Sequence, residues 1–141
     1  MESLVREFLG DSEPDREKEI AFIASAILIA CAKSDDEEDP DEEETILDIM
    51  GEATGLDDSQ LDRLITLIDD KLREEGLSAF IDSVNETFHD DEKILLLENL
   101  WRVAYADGRL AQFEQAFIRR ISDAIGMDDD AVESARAAVS P

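Results

Sequence analysis

The chain has 141 residues and carries 38 acidic against 13 basic side chains, a formal charge of −25 at pH 7, while 43% of its residues are apolar. That length suits one domain with a core of its own, and that charge disfavours nucleic acid and anionic lipid while favouring cations and basic protein surfaces. A strongly acidic surface also suits a high-salt interior, so charge alone does not separate function from habitat.

The apolar residues recur at helical spacing, which a disordered acidic tail does not show. Cys31 is the only cysteine and sits in an apolar run, so no intramolecular disulfide forms and a reducing compartment is expected, with Cys31 as a small core residue. The opening M-E-S-L-V-R-E lacks the basic-then-apolar pattern of a signal peptide, and the longest uncharged run, residues 20–32, falls short of the ~20 residues a bilayer span needs. A soluble cytoplasmic protein without membrane insertion is the expectation.

In chain order, residues 2–9 spell a short amphipathic helix with Leu4, Val5, Phe8 and Leu9 on one side and Gly10 at its end. Ser12-Glu13-Pro14 is a start signal for a longer helix whose Ile20, Ile23, Ala24, Ile27, Leu28 and Cys31 share a face. Phe22 and Ile29 lie off that face, so this helix is expected to be central and buried on most sides. Residues 35–44 are acidic at every position except Pro40, yet Asp39-Pro40-Asp41-Glu42 reads as cap, first-turn proline and acidic first turn. The helix it starts runs through Ile46, Leu47, Ile49, Met50 and Ala53 to Gly55.

Asp57 with Gln60 forms a capping box for a helix striped by Leu61, Leu64, Ile65, Ile68 and Leu72 and ended by Gly76. A shorter helix carries Leu77, Phe80, Ile81, Val84 and Phe88. His89-Asp90-Asp91-Glu92 opens a second strongly apolar helix over residues 94–106, stopped at Asp107-Gly108. Phe113, Phe117, Ile118, Ile121 and Ile125 mark the next helix up to Gly126, and Asp128 caps a last one through Val132, Ala135 and Val139. The fold class is all-α: a compact bundle of roughly seven or eight helices. One domain over residues 1–141 is expected, with its core at about residues 15–140 and residues 1–11 as a short docking helix.

Comparing positions 72 apart exposes an internal repeat. Phe22 meets Ile94, Leu28 meets Leu100, Ile29 meets Trp101, Cys31 meets Val103, Asp35 meets Asp107, Glu42 meets Glu114, Ile46 meets Ile118 and Ile49 meets Ile121. Gly55-Leu56-Asp57 then answers Gly126-Met127-Asp128 after a one-residue slip. Two related helix-loop-helix units, each followed by a further helix, are the simplest reading.

These residues resemble the TerB-like domains, a family named for a tellurite-resistance protein. The resemblance rests on A-Y-A-D-G-R-L at residues 104–110, on Glu114, and on I-R-R-I-S-D-A-I-G-M at residues 118–127. More faintly it includes A-K-S-D at residues 32–35 and D-P-D-E-E at residues 39–43. It departs from the family pattern at Asp36, where glycine is usual, and at Ala111, where a capping residue is expected. The resemblance implies a compact helical domain, divalent-cation binding by acidic residues, and a stress or tellurite-resistance association.

Asp35 with Glu42, and Asp107 with Glu114, are the candidate ligands for calcium, magnesium or manganese, because carboxylates at a helix end and at the next helix start converge across a short turn. The same four positions also serve as helix-terminus groups that cap backbone N–H and complement the dipole. The loop is not an EF-hand: Pro40 replaces the turn glycine and Ile46 stands at the twelfth position. His89 is the only histidine, which excludes a Cys/His zinc centre and points to a cap. Phosphate-loop and nucleophile-elbow motifs are absent, so no enzyme is expected. Trp101 and Tyr105, one turn apart, are read as core packing with the tyrosine hydroxyl at the rim. The sequence thus favours a non-enzymatic interaction domain that docks a basic or apolar surface of a protein partner. The alternative is a cation-binding or sensing domain.

Overall fold

The computed structural model of the chain describes residues 16–33, 40–106 and 112–139. These form seven helices: α1 (Arg16–Ala32), α2 (Pro40–Thr54), α3 (Asp58–Glu75), α4 (Leu77–Thr87), α5 (Asp90–Tyr105), α6 (Gln112–Ala124) and α7 (Asp129–Val139). No strand occurs among the described residues, so the all-α expectation holds. The short helix at residues 2–9, the Ser12-Glu13-Pro14 start, Asp36, the Asp39 cap, the Asp107-Gly108 stop and Ala111 lie outside the described residues.

The central helix is α1. Ala21, Phe22, Ile23, Ala26, Ile27, Leu28, Ile29 and Cys31 are all buried, which places apolar side chains around its whole circumference. A helix apolar on every side must be enclosed, and α1 packs against α2, α3, α4, α5 and α6. Its one buried hydroxyl, Ser25, donates to the Ala21 carbonyl at 2.6 Å, so no polar group is stranded there. The second hub is α5, whose Leu96, Leu97, Leu100, Trp101, Val103 and Ala104 are buried against α1, α2, α6 and α7. Over Trp101 lies the Arg136 guanidinium of α7, 5.2 Å from the ring centre, and Arg136 Nε donates to the Tyr105 hydroxyl at 2.7 Å. Tyr105 thus packs its ring 6.1 Å from Trp101 and keeps its oxygen at the half-buried rim, as the sequence suggested.

The joints follow the local chemistry. Asp57 Oδ1 accepts from the Gln60 N–H at 2.9 Å, and Gln60 Oε1 accepts from the Asp57 N–H at 3.1 Å, a complete capping box. The repeat reappears here with its one-residue slip: Asp128 Oδ1 accepts from the Ala131 N–H at 2.9 Å. Gly55 and Gly126, which precede these caps, both hold positive φ, 72° and 76°, where any side chain would be strained. Burial repeats as well. Leu28 with Leu100, Ile29 with Trp101, Cys31 with Val103, Ile46 with Ile118 and Ile49 with Ile121 are buried in both copies.

The symmetry fails at the first turns of α5, at Phe22 with Ile94 and at Ile23 with Leu95. Phe22 is buried, whereas its mate Ile94 is exposed together with Leu95. The apolar stretch expected from residue 94 is present, and its first two residues face outward. The reason is tertiary: α4 packs on α1 and covers Phe22, with the Phe22 and Phe80 rings 6.4 Å apart.

This difference sets a stability contrast between two isoleucines. Ile27→Ala should cost about 2–5 kcal/mol and Ile94→Ala within about 0.5 kcal/mol, read as shifts in the urea midpoint at constant slope. Equal costs at the two positions would contradict the packing described.

Candidate functional site

Of the four acidic residues singled out from the sequence, Asp35 and Asp107 lie outside the described residues. Glu42 and Glu114 are both buried, exposed by only 2% and 1%. Each occupies the third position of its helix, Glu42 in α2 and Glu114 in α6. Beside Glu42, the acids Asp41, Glu43 and Glu44 are exposed. Burial of one acid out of four is a matter of helix phase, since Glu42 shares the inward side of α2 with Ile46, Ile49 and Met50.

The two glutamates belong to different repeat units but act on one thiol. Cys31, in the last turn of α1, is fully buried, and α1 packs against both α2 and α6. Burial first, then the Glu114 carboxylate, then the Glu42 carboxylate push the Cys31 thiol well above its ordinary value of 9.0. The sequence had grouped each glutamate with the aspartate of its own loop. Both glutamates also act on the Cys31 thiol of α1, which packs against the helices that carry them. Val103, the repeat mate of Cys31, is buried as well, so the thiol is the one chemical asymmetry between these two matched positions.

Energetically this arrangement is expensive. Taking a carboxylate out of water costs several kcal/mol even after relaxation, and here two are drawn into the interior of a chain whose net charge is already −25. Two carboxylates supply up to four oxygen donors, a hard-donor set that suits calcium, magnesium or manganese better than a soft metal. The first turn of each helix is also the place where backbone N–H groups favour an anion.

One other cluster emerges that the sequence had read as a cap. His89, Asp91 and Glu92 offer ligand atoms all within 4.8 Å of one another, a metal-like grouping among the described residues. Glu92 Oε1 accepts from the His89 N–H at 2.8 Å, which is the capping arrangement. The cluster sits at the positive end of the α5 dipole, which favours its carboxylates as helix-start groups, as it does Glu42 and Glu114 on their own helices. A depression of about 340 Å³ on α3, lined by Asp62, Arg63, Thr66 and Leu67, contains none of the predicted site residues. Among the described residues no helix is long and apolar enough to cross a membrane.

The raised thiol predicts an alkaline dependence. The native state holds the Cys31 proton where the unfolded chain releases it, so this contribution is complete below the unfolded value and is lost as pH rises past it toward the native one. Urea unfolding between about pH 8 and about pH 10 should show the parent protein losing more stability than Cys31→Ala. Parallel slopes would contradict the raised thiol.

A family model described as Tellurite resistance protein TerB matches residues 19–137 of the chain. No curated protein and no solved structure matches.

Proposed function

The chain belongs to the TerB family, and from that premise we propose that it acts by binding, as a non-enzymatic acidic interaction domain that docks a basic or apolar surface of a cytoplasmic protein partner. The observation that carries this reading is the distribution of charge. Acids crowd the exposed helix starts at Asp57-Asp58, Asp90-Asp91 and Asp128-Asp129-Asp130. Bases pair with other acids: among the described residues Lys33 pairs with Asp69, Arg73 with Asp70 and Arg119 with Glu133, and each of the three bases is exposed. Exposed pairs of this kind contribute little, so the surface keeps a strong negative field. Such a field speeds encounter with a basic partner and rejects acidic ones. A stress-response assembly of the kind the family name points to is the setting we propose.

A second reading is favoured by a different observation, the burial of Glu42 and Glu114, both of which act on the Cys31 thiol. In this reading the two glutamates, together with Asp35 and Asp107, hold a divalent cation. The cation offsets the cost of burying like charges and ties the two repeat units together. A ligand at 100 times its dissociation constant stabilises a fold by about 2.7 kcal/mol.

Both readings make measurable demands. Immobilised protein should retain a basic partner reproducibly from native extract at moderate salt and release it at high salt; an empty eluate would contradict the docking role. After chelator treatment, calorimetric titration with calcium, magnesium or manganese should give saturable binding. Glu42→Gln and Glu114→Gln should each weaken it by about tenfold or more, which is about 1.4 kcal/mol. Heats that follow ionic strength and ignore both variants would contradict a specific site.

A further inference from the structure

The exposed large hydrophobic residues among the described ones are Ile94, at 39%, and Leu95, at 55%, neighbours in the first turns of α5. Isolated apolar residues on a surface are ordinary. This pair is not ordinary in its place in the repeat, because its mates 72 positions earlier, Phe22 and Ile23, are both core residues. On α1 that position is covered by α4, which brings Phe80 against Phe22. On α5 the equivalent pair is exposed among the described residues.

Further along, the α5 face has polar residues where the covered one is apolar. Glu98 and Asn99 stand where the first unit has Ala26 and Ile27, and Arg102 stands where it has Ala30. Those three side chains are half-buried, and Arg102 donates to Asn99 Oδ1 at 3.2 Å. The remainder of the face is thus suited to water, and Ile94 and Leu95 alone keep the apolar character that a covering helix requires.

The rim of this pair has one sign. Asp90 and Asp91 are exposed on its N-terminal side and Glu98 follows it one turn on. The nearest base, Lys93, is drawn away: its ammonium donates to the Ile125 carbonyl at 2.9 Å. An apolar pair edged by carboxylates is complementary to a helix with apolar anchors on one side and Lys or Arg flanking them. A second copy of this chain would instead bring another −25 charges against it.

We propose that Ile94 and Leu95 of α5 form a docking face for an amphipathic basic helix of a protein partner, which takes on α5 the place that α4 takes on α1. This assignment rests on the docking reading above and adds where the partner sits and what chemistry it presents. The bound helix places a large apolar residue over Ile94 and Leu95, and its bases face Asp90, Asp91 and Glu98. Apolar contact supplies the specificity, and the acidic rim supplies speed of association and sensitivity to salt.

The probe is a synthetic peptide helix with leucines on one face and lysines and arginines on the other, compared with a scrambled peptide of the same composition that has no apolar face. Amide shifts of the full-length protein should change around Ile94, Leu95 and Glu98, and the amphipathic peptide should bind at least about tenfold more tightly than the scrambled one. Leu95→Glu and Ile94→Glu should each abolish that advantage, even though each adds negative charge that attracts a basic peptide. Both side chains are exposed, so the fold, followed by circular dichroism and the melting temperature, should be unchanged.

Equal binding of the two peptides, with shifts spread over the whole acidic surface, would overturn the face while leaving the acidic docking role standing. Absence of binding by either peptide would overturn both. A concentration-dependent dimer in sedimentation that Leu95→Glu dissolves would make a second copy the occupant and overturn the proposal. Shifts at Ile94 and Leu95 on deleting residues 1–12 would do the same in favour of the chain's own N-terminal segment.

Discussion

A helix with apolar side chains on every side has no stable place at a surface, and α1 is such a helix: from Ala21 to Cys31 it presents buried residues in all directions. The only arrangement that meets its demand is a shell of other helices, and five of them provide it. The hydrophobic return on each buried Ile, Leu or Phe is about 1.5–3 kcal/mol, so a cage around α1 collects many such terms at once. The positions of α2 and α6, and with them Glu42 and Glu114, follow from this requirement and not from any attraction between the acids themselves.

That hierarchy explains how a chain of −25 can carry acids into its interior. Surface repulsion is spread over exposed helix starts, where water and salt screen it over roughly 10 Å at 0.1 M ionic strength, while the apolar core is indifferent to charge. Glu42 and Glu114 are held at the first turns of α2 and α6 by the inward phase of Ile46, Ile49, Ile118 and Ile121. They push the Cys31 thiol upward together with its burial, so at the C-terminal end of α1 burial and charge work against ionisation of the thiol. Chemistry that relieves such a conflict is the natural place to look for a cation, just as the exposed start of α5 is the natural place to look for a partner.

Much of this was legible in the residues. The Asp57–Gln60 box, the Asp128 cap, the glycines at 55, 76 and 126, and the stripe of Leu61, Leu64 and Ile68 are local signals, and local hydrogen bonding and periodicity decide them. The central role of α1 could be inferred from Phe22 and Ile29 falling off the main face, since only enclosure accommodates them. The exposure of Ile94 and Leu95 could not be inferred. Whether an apolar first turn is covered depends on where a helix distant in sequence lands, and α4 lands on α1. The burial of Glu42 and Glu114 was hidden for a related reason: an acid at the third helical position reads as a cap whether it faces water or core. The repeat pairs Glu42 with Glu114, which share their burial, and Phe22 with Ile94, which do not.

The rest of the fold depends on α1 as the enclosed hub, and native-state hydrogen exchange of its backbone amides tests that most directly. Amides of Ile23, Ile27 and Cys31 should exchange only through global unfolding, with the full dependence on denaturant, while those near the ends of α3 and α7 open locally at lower free energy. If the α1 amides exchanged through local opening, ahead of those in α3 and α7, the helix would not be the enclosed centre on which the rest of the fold depends.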